Sequence, residues 1–394
     1  MLIGLDAIPL TEPRTGVGHY TFELARALAH VSPSDSFELL YPSSYAPIDF
    51  DGGDETPHDA DGDDAAQTSA LASNLKAVRV RVGHVGRHWW SAGLPLYLRR
   101  SEIELFHGTN YDVPLWGRAP SALTIHDLSL LLHPETHEAR RVRRARRRLP
   151  LMARAATVVI TPTESVRREV CERLARVPPT KVFAVPEAPR DIFRPLRFDE
   201  TEEARRRLGV EDEYLLAVGT LEPRKNLIAL LRAFEEVARA LPSRRLQLVV
   251  SGGKGWLNAP LFAQLEKSEV KDRVLFTGYV SDEDLRALYA SCRAFVYPSL
   301  YEGFGLPPLE AMACGAPVIA GRIPSIVETT GGSALLFDPA DTHELARRIV
   351  ELLRDEGARR KLSEAGLRRA AGFSWEQTAR LTREVYGEAL RRFE

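Results

Sequence analysis

YEGFGLPPLE, residues 301 to 310, sets Glu302 and Glu310 at either end of a segment holding two glycines and two prolines. AFVYPS just before it has the apolar and aromatic makeup of a strand. PPLEAMACG reads as a short helix closed by Gly315. Pro307 and Pro308 suit a first helical turn, where the missing N–H costs little, and glycine suits the end. Strand, glycine loop and helix in that order make a ligand-binding corner of an open parallel sheet. The amides of Gly303, Phe304, Gly305 and Leu306 are expected to converge at the helix start as a phosphate site, the two glycines allowing close approach. A carboxylate touching a diphosphate would repel it by several kcal/mol at an effective dielectric of about 20. Glu302 and Glu310 are therefore expected to face neutral hydroxyls on either side of the phosphates. A nucleotide sugar, with diols at both ends of a diphosphate, meets that demand.

The same alternation of short apolar strands and amphipathic helices runs outward through the chain, the signature of a parallel α/β sheet. The first half carries strands at LIGLDA, FELLYP, KAVRVRV, ELFHG, ALTIHD, TVVIT and KVFAV. The second carries them at YLLAVGT, LQLVVSGG, VLFTGYV, AFVYPS, PVIAG and ALLFD. Two such series predict two doubly wound, Rossmann-like domains, residues 1–190 and 191–374. The proline-rich PEAPRDIFRPLRFD, Pro186 to Asp199, reads as the join. A final helix over 375–394 lies beyond the second series and is expected to pack back on the first domain.

At 394 residues the chain exceeds what one core usually supports, which agrees with two domains. A formal charge of −1 argues against a nucleic-acid surface spread over the molecule. The three cysteines, Cys171, Cys292 and Cys314, are far apart and form neither a metal spacing nor a disulfide framework. MLIGLDAIPL has no basic leader region and reads as a buried first strand, and no apolar run reaches the length of a membrane span. A cytoplasmic location is the expectation. The acidic stretch 49–64 is expected to be a mobile surface loop.

Glu302 and Glu310, seven residues between them, resemble the paired-glutamate motif of the retaining glycosyltransferases of family 4, which have the GT-B fold: two Rossmann-like domains facing a central cleft. The likeness extends to GVGHY near the start, TIHD at 124–127, GTLEPRKN at 219–226 and ETTGGSALLFDP at 328–339. Within the family the pattern is similar to bacterial mannosyltransferases of surface polysaccharides or glycolipids. The resemblance implies a hexose, mannose favoured, moved from a nucleoside diphosphate sugar to a saccharide or lipid-linked acceptor. It assigns Glu302 to sugar hydroxyls and Glu310 to the ribose. Arg224 and Lys225 fall to the leaving diphosphate, and the His126 ring to the donor sugar. Gly16, Val17 and Gly18 match a first loop over phosphates and acceptor, and Val280 matches the position whose backbone holds the base. GDP-mannose is the donor this likeness favours, with no cofactor and no metal, since the two cations and the loop amides take a metal's place. Two departures are plain: Thr220 stands where many relatives have arginine, and Glu187-Ala188 where Asn-Gly is common.

Rival readings explain less. Asp61-Gly62-Asp63 has a metal-binding look but lies in a tract where acidic spacings arise by chance. A glycoside hydrolase using Glu302 and Glu310 leaves the glycine loop and Arg224-Lys225 without a role. A nucleotide-sugar epimerase on this fold, or a non-catalytic nucleotide-sugar-binding protein, shares the site but not the use of an acceptor. RRVRRARRR, 140–148, reads as a helix packed by Val142, Ala145, Leu149 and Met152 with a solvated basic face. Peripheral contact of that face with anionic membrane is a second expectation, which sedimentation with anionic vesicles would check.

Overall fold

A computed structural model describes residues 1–12, 14, 16–48, 50, 72–81, 88–211 and 213–393. Most of the stretch 49–64, including Asp61-Gly62-Asp63, lies outside the described residues.

Among the described residues the first half forms β1 (Leu2–Asp6), β2 (Ser36–Pro42), β3 (Leu75–Val80), β4 (Leu105–Gly108), β5 (Ser121–Thr124), β6 (Val158–Thr161) and β7 (Val182–Ala184). They make a seven-stranded sheet ordered β3-β2-β1-β4-β5-β6-β7. All pairings are parallel, and Leu5 stands between Leu39 and His107 across its neighbours. The second half forms β8 (Tyr214–Val218), β9 (Gln247–Ser251), β10 (Val274–Gly278), β11 (Ala294–Tyr297), β12 (Val318–Gly321) and β13 (Leu335–Phe337). These give a parallel six-stranded sheet ordered β10-β9-β8-β11-β12-β13. The central strands of each sheet are buried on both faces, which is why they read as continuous apolar runs instead of alternating ones.

The sheets have separate cores. Leu5, Leu24, Leu28 and Phe37 are central to one, and Leu230, Phe234, Val250 and Ile349 to another. The last helix, Trp375–Phe393, lays Trp375, Ala379, Tyr386 and Ala389 into the core of the first sheet, against the helix Gly16–Val31. A hydroxyl bond ties it down as well, Thr378 Oγ1 donating to the Pro186 carbonyl at 2.7 Å.

In each sheet the strand order reverses once, between β1 and β4 and between β8 and β11. Parallel sheets leave a crevice outside the carboxyl ends of the strands at such a reversal. The loops after β8 and β11 carry Arg224-Lys225 and the 301–310 segment. Sheet order thus joins residues that are far apart in sequence.

Candidate active site

After β8 the chain turns through Pro223–Lys225, and Asn226 takes a left-handed φ of 55°. Asn226 precedes the helix Leu227–Ala240, and its side chain donates to the carbonyls of Pro298 (3.2 Å) and Pro339 (3.0 Å), pinning the turn to the loops after β11 and β13. Leu300 N donates to the Arg224 carbonyl at 2.9 Å and closes the same seam.

This seam brings three charges together. Arg224 Nη1 donates to Glu302 Oε2 at 2.7 Å, and Lys225 Nζ donates to Glu302 Oε1 at 2.6 Å. Arg224 also donates to the Tyr301 carbonyl and to Glu222, and Lys225 to the Tyr297 hydroxyl at 3.0 Å. The sequence argument sets Glu302 against neutral hydroxyls; in the structure it is the shared partner of both cations. A guanidinium and an ammonium held in a largely buried seam need counter-charge close by, and Glu302, with Glu222 beside Arg224, supplies it. Burial opposes its ionisation, but Arg224 and Lys225 outweigh burial and hold the carboxyl at about 2. The two cations thus favour the anionic form of Glu302, the form suited to accepting hydrogen bonds.

The 301–310 segment is fixed from several sides. The carbonyls of Glu302, Gly303 and Phe304 each accept from a hydroxyl: Ser325 (2.5 Å), Thr163 (2.9 Å) and Thr329 (2.7 Å). Thr163 belongs to the first half of the chain, so this segment is also part of the contact between the two domains. Gly305 adopts a left-handed φ of 98° and precedes the helix Leu306–Ala313. Gly303 also has a steric reason to be glycine. A Cβ there would lie 1.8 Å from the His126 carbonyl oxygen, so the close neighbour is the backbone of the other domain.

Glu310 keeps separate company. Arg190 Nε lies 3.5 Å from it, and the Tyr289 hydroxyl donates at 3.4 Å. Burial lifts its carboxyl to about 7 against the pull of Arg190, with Asp282 adding to the rise. Arg190 comes from the segment between the domains and was read only as part of a proline-rich join. Its Nη1 donates to Asp282 Oδ2 (2.5 Å) and to His19 Nδ1 (3.2 Å), reaching both domains at once. A buried arginine among prolines gives no periodic signal, so sequence reasoning passed over it.

His126 follows β5 and is largely buried, with ring edges against Tyr20 (4.7 Å between centroids) and Tyr111 (5.9 Å). Its ring nitrogens face Glu187 Oε1 at 3.2 Å and the Thr109 carbonyl at 2.9 Å. Asp127 beside it accepts from Ser129 N at 2.9 Å, the turn chemistry its position suggests.

Gly16, Val17 and Gly18 form the first turn of the helix Gly16–Val31, where the resemblance implied a loop. Gly18 packs tightly, since a Cβ would come 2.9 Å from the Pro9 carbonyl, whereas Gly16 faces open space. Val280 sits half-buried between β10 and Ser281, the residue that caps the helix Asp282–Ser291. The basic helix Ala139–Ala155 buries Val142, Leu149 and Met152 and exposes Arg143, Arg144, Arg146 and Arg147. Among the described residues no cluster of three or more histidines, cysteines or carboxylates is placed to hold a metal, and no helix is long and apolar enough to cross a membrane.

Comparison with known proteins agrees with this geometry. The family model for glycosyl transferases group 1 matches residues 199–369, and that for glycosyltransferase family 4 matches residues 55–188. The O-antigen chain mannosyltransferase B of Escherichia coli is 32% identical over 385 residues, covering 96% of this chain and 97% of its own. Among solved structures, a sucrose-phosphate synthase from Thermosynechococcus elongatus superposes with a TM-score of 0.75 at 21% identity, covering 98% of both chains. Anabaena HepE in complex with UDP-glucose gives 0.71 at 19% identity, covering 98% of this chain and 99% of its own. At these identities the solved structures establish the two-domain GT-B fold.

Proposed function

The chain belongs to the family 4 glycosyltransferases, and on that premise we propose that it moves a hexose, mannose by preference, from a nucleoside diphosphate sugar to a saccharide or lipid-linked acceptor with retention of configuration and without a metal. One observation supports this above the rest: Arg224 and Lys225 converge on Glu302 where the strand order of the second sheet reverses, next to the start of the helix Leu306–Ala313.

The proposed chemistry follows from those charges. The donor's diphosphate lies at Arg224, Lys225 and the amides of Gly303, Phe304, Gly305 and Leu306. Glu302, kept anionic, accepts from sugar hydroxyls, and Glu310 accepts from the ribose. His126 borders the sugar from the first domain, the turn Gly16–Gly18 borders the phosphates and acceptor, and the Val280 backbone borders the base. The acceptor oxygen attacks the anomeric carbon on the face from which the phosphate oxygen departs. The carbon–phosphate-oxygen bond breaks, the new glycosidic bond forms, and the acceptor proton passes to the departing phosphate. Arg224 and Lys225 stabilise the charge that grows there, the role a metal fills elsewhere. The nucleotide sugar named in the HepE structure and the mannosyltransferase activity named for the Escherichia coli relative lend the donor class and the sugar.

A transfer assay tests this reading. GDP-mannose and UDP-glucose are supplied with a panel of mannosides as acceptors, after exhaustive EDTA treatment. Transfer with the α configuration kept is the expected result. Activity that vanishes with EDTA and returns with Mn or Mg would reject the metal-free step. Epimerised nucleotide sugar formed without any acceptor would favour the epimerase reading instead.

A further inference from the structure

Both ring nitrogens of His126 meet acceptors. The Thr109 carbonyl has no proton to give, so Nε2, 2.9 Å away, carries one and donates it. Nδ1 faces Glu187 Oε1 at 3.2 Å. A neutral ring with its proton on Nε2 would set the Nδ1 lone pair against an ionised carboxylate. Both side chains are largely buried, at 13% and 6% exposure, so water does little to relieve that clash. A second proton therefore belongs in the pair.

The surroundings decide which partner holds it. The titratable groups facing the ring are Glu187 from the interdomain segment, Asp127 from its own loop, His107 from β4, Tyr20 from the helix Gly16–Val31, and Tyr111 after β4. Burial holds His107 neutral, its pKa lowered to about 3, and burial keeps both tyrosines un-ionised. That leaves two carboxylates near the ring. Burial alone would lower the pKa of His126, but Glu187, aided by Thr109 and Asp127, outweighs it and raises the value above the ordinary one. The same residue touches the donor segment, since its carbonyl occupies the space a Cβ on Gly303 would need. Glu187 is also one of the two positions where this chain departs from the Asn-Gly common among its relatives.

We propose that Glu187 is a positioning residue that holds His126 as an imidazolium, locked between a carboxylate and the Thr109 carbonyl against the donor segment. An asparagine-like amide at this place could donate to Nδ1 and so would support a neutral ring. The carboxylate supports only a charged one. Activity that depends on the imidazolium persists as pH rises until the raised pKa of His126 is passed, and then falls.

Glu187→Gln keeps the shape and removes the charge. The ring resonances of His126 in the full-length protein, followed by NMR against pH, give a readout that needs no catalysis. In the wild type the ring should titrate with a midpoint above the ordinary histidine value. In Glu187→Gln the midpoint should drop below that value, and Glu187→Asp should restore most of the rise. Saturating transfer rates at pH 7 should fall about tenfold in Glu187→Gln, with the alkaline limb of the profile moved to lower pH. This rate arm rests on the transferase reading; the NMR arm does not. A wild type that transfers no sugar but shows the shifted titration would sink the transferase reading and leave the charged pair standing. Identical His126 midpoints in wild type and Glu187→Gln would overturn the proposal. So would a shifted midpoint with an unmoved rate and pH profile.

Discussion

Lys225→Ala should lower the saturating transfer rate on the order of a hundredfold or more while donor affinity changes little. Charge on the leaving phosphate grows only as the glycosidic bond breaks, so a cation aimed there acts more strongly on the transition state than on the bound donor. Loss of one preorganised donor of this type typically costs about a hundredfold to a thousandfold in turnover. Preorganisation is visible in the site. Lys225 Nζ is held between Glu302 Oε1 at 2.6 Å and the Tyr297 hydroxyl at 3.0 Å, and the turn below it is pinned by Asn226. Arg224→Ala should behave likewise and more severely, because Thr220 leaves no second guanidinium on that loop. Calorimetric donor affinity set beside the saturating rate checks both variants. A normal maximal rate with only a raised Michaelis constant would show uniform binding and reject the catalytic role.

Gly303→Ala should be nearly as damaging for a steric reason. The added methyl would sit 1.8 Å from the His126 carbonyl oxygen and 2.9 Å from its carbon, and a backbone cannot yield as a side chain tip does. Overpacking of this kind usually costs about 1–3 kcal/mol, so the chain should still fold, each domain retaining its own core. The displaced parts are the ones that matter: the donor segment, the Thr163 bond to the Gly303 carbonyl, and Glu302 one residue away. A misplacement of about 1 Å at reacting groups can cost on the order of a hundredfold in rate. Turnover is expected to fall by about that factor, with a cooperative melting transition retained. Turnover within about twofold of wild type would show that the two domains do not need this close approach during catalysis.

The fold was legible because parallel strands buried on both faces announce themselves as short apolar runs closed by glycine, proline or aspartate. Each of the runs from LIGLDA to ALLFD overlaps an observed strand. The helix start at 306 was legible for a similarly local reason, Pro307 and Pro308 after glycine. What escaped was pairing across distance. Glu302 and Lys225 meet because β8 and β11 are neighbours, and strand order is not written in any one segment. The repulsion argument that set Glu302 apart from phosphate was sound for the anion alone, but it left out the two cations that the same crevice brings to the carboxylate. Gly16–Gly18 was expected as a loop from the resemblance alone, whereas Gly18 lets the helix lie against the Pro9 carbonyl. Glu187 was visible as a departure, yet its bond to His126 spans 61 residues and needed the fold to become apparent. Arg190 gave no signal at all.

The central claim is that a nucleoside diphosphate sugar binds between these charges without a metal. Calorimetric titration of GDP and GDP-mannose into the wild type and Glu310→Ala, all in EDTA, tests it most directly. The account predicts one site per chain in the wild type for both ligands. It also predicts a loss of about tenfold in affinity for both in Glu310→Ala, as expected when the carboxyl's hydrogen bonds to the two ribose hydroxyls, each worth about 0.5–1.5 kcal/mol, are removed. Binding that requires added Mn or Mg, or affinity left unchanged by Glu310→Ala, would contradict it.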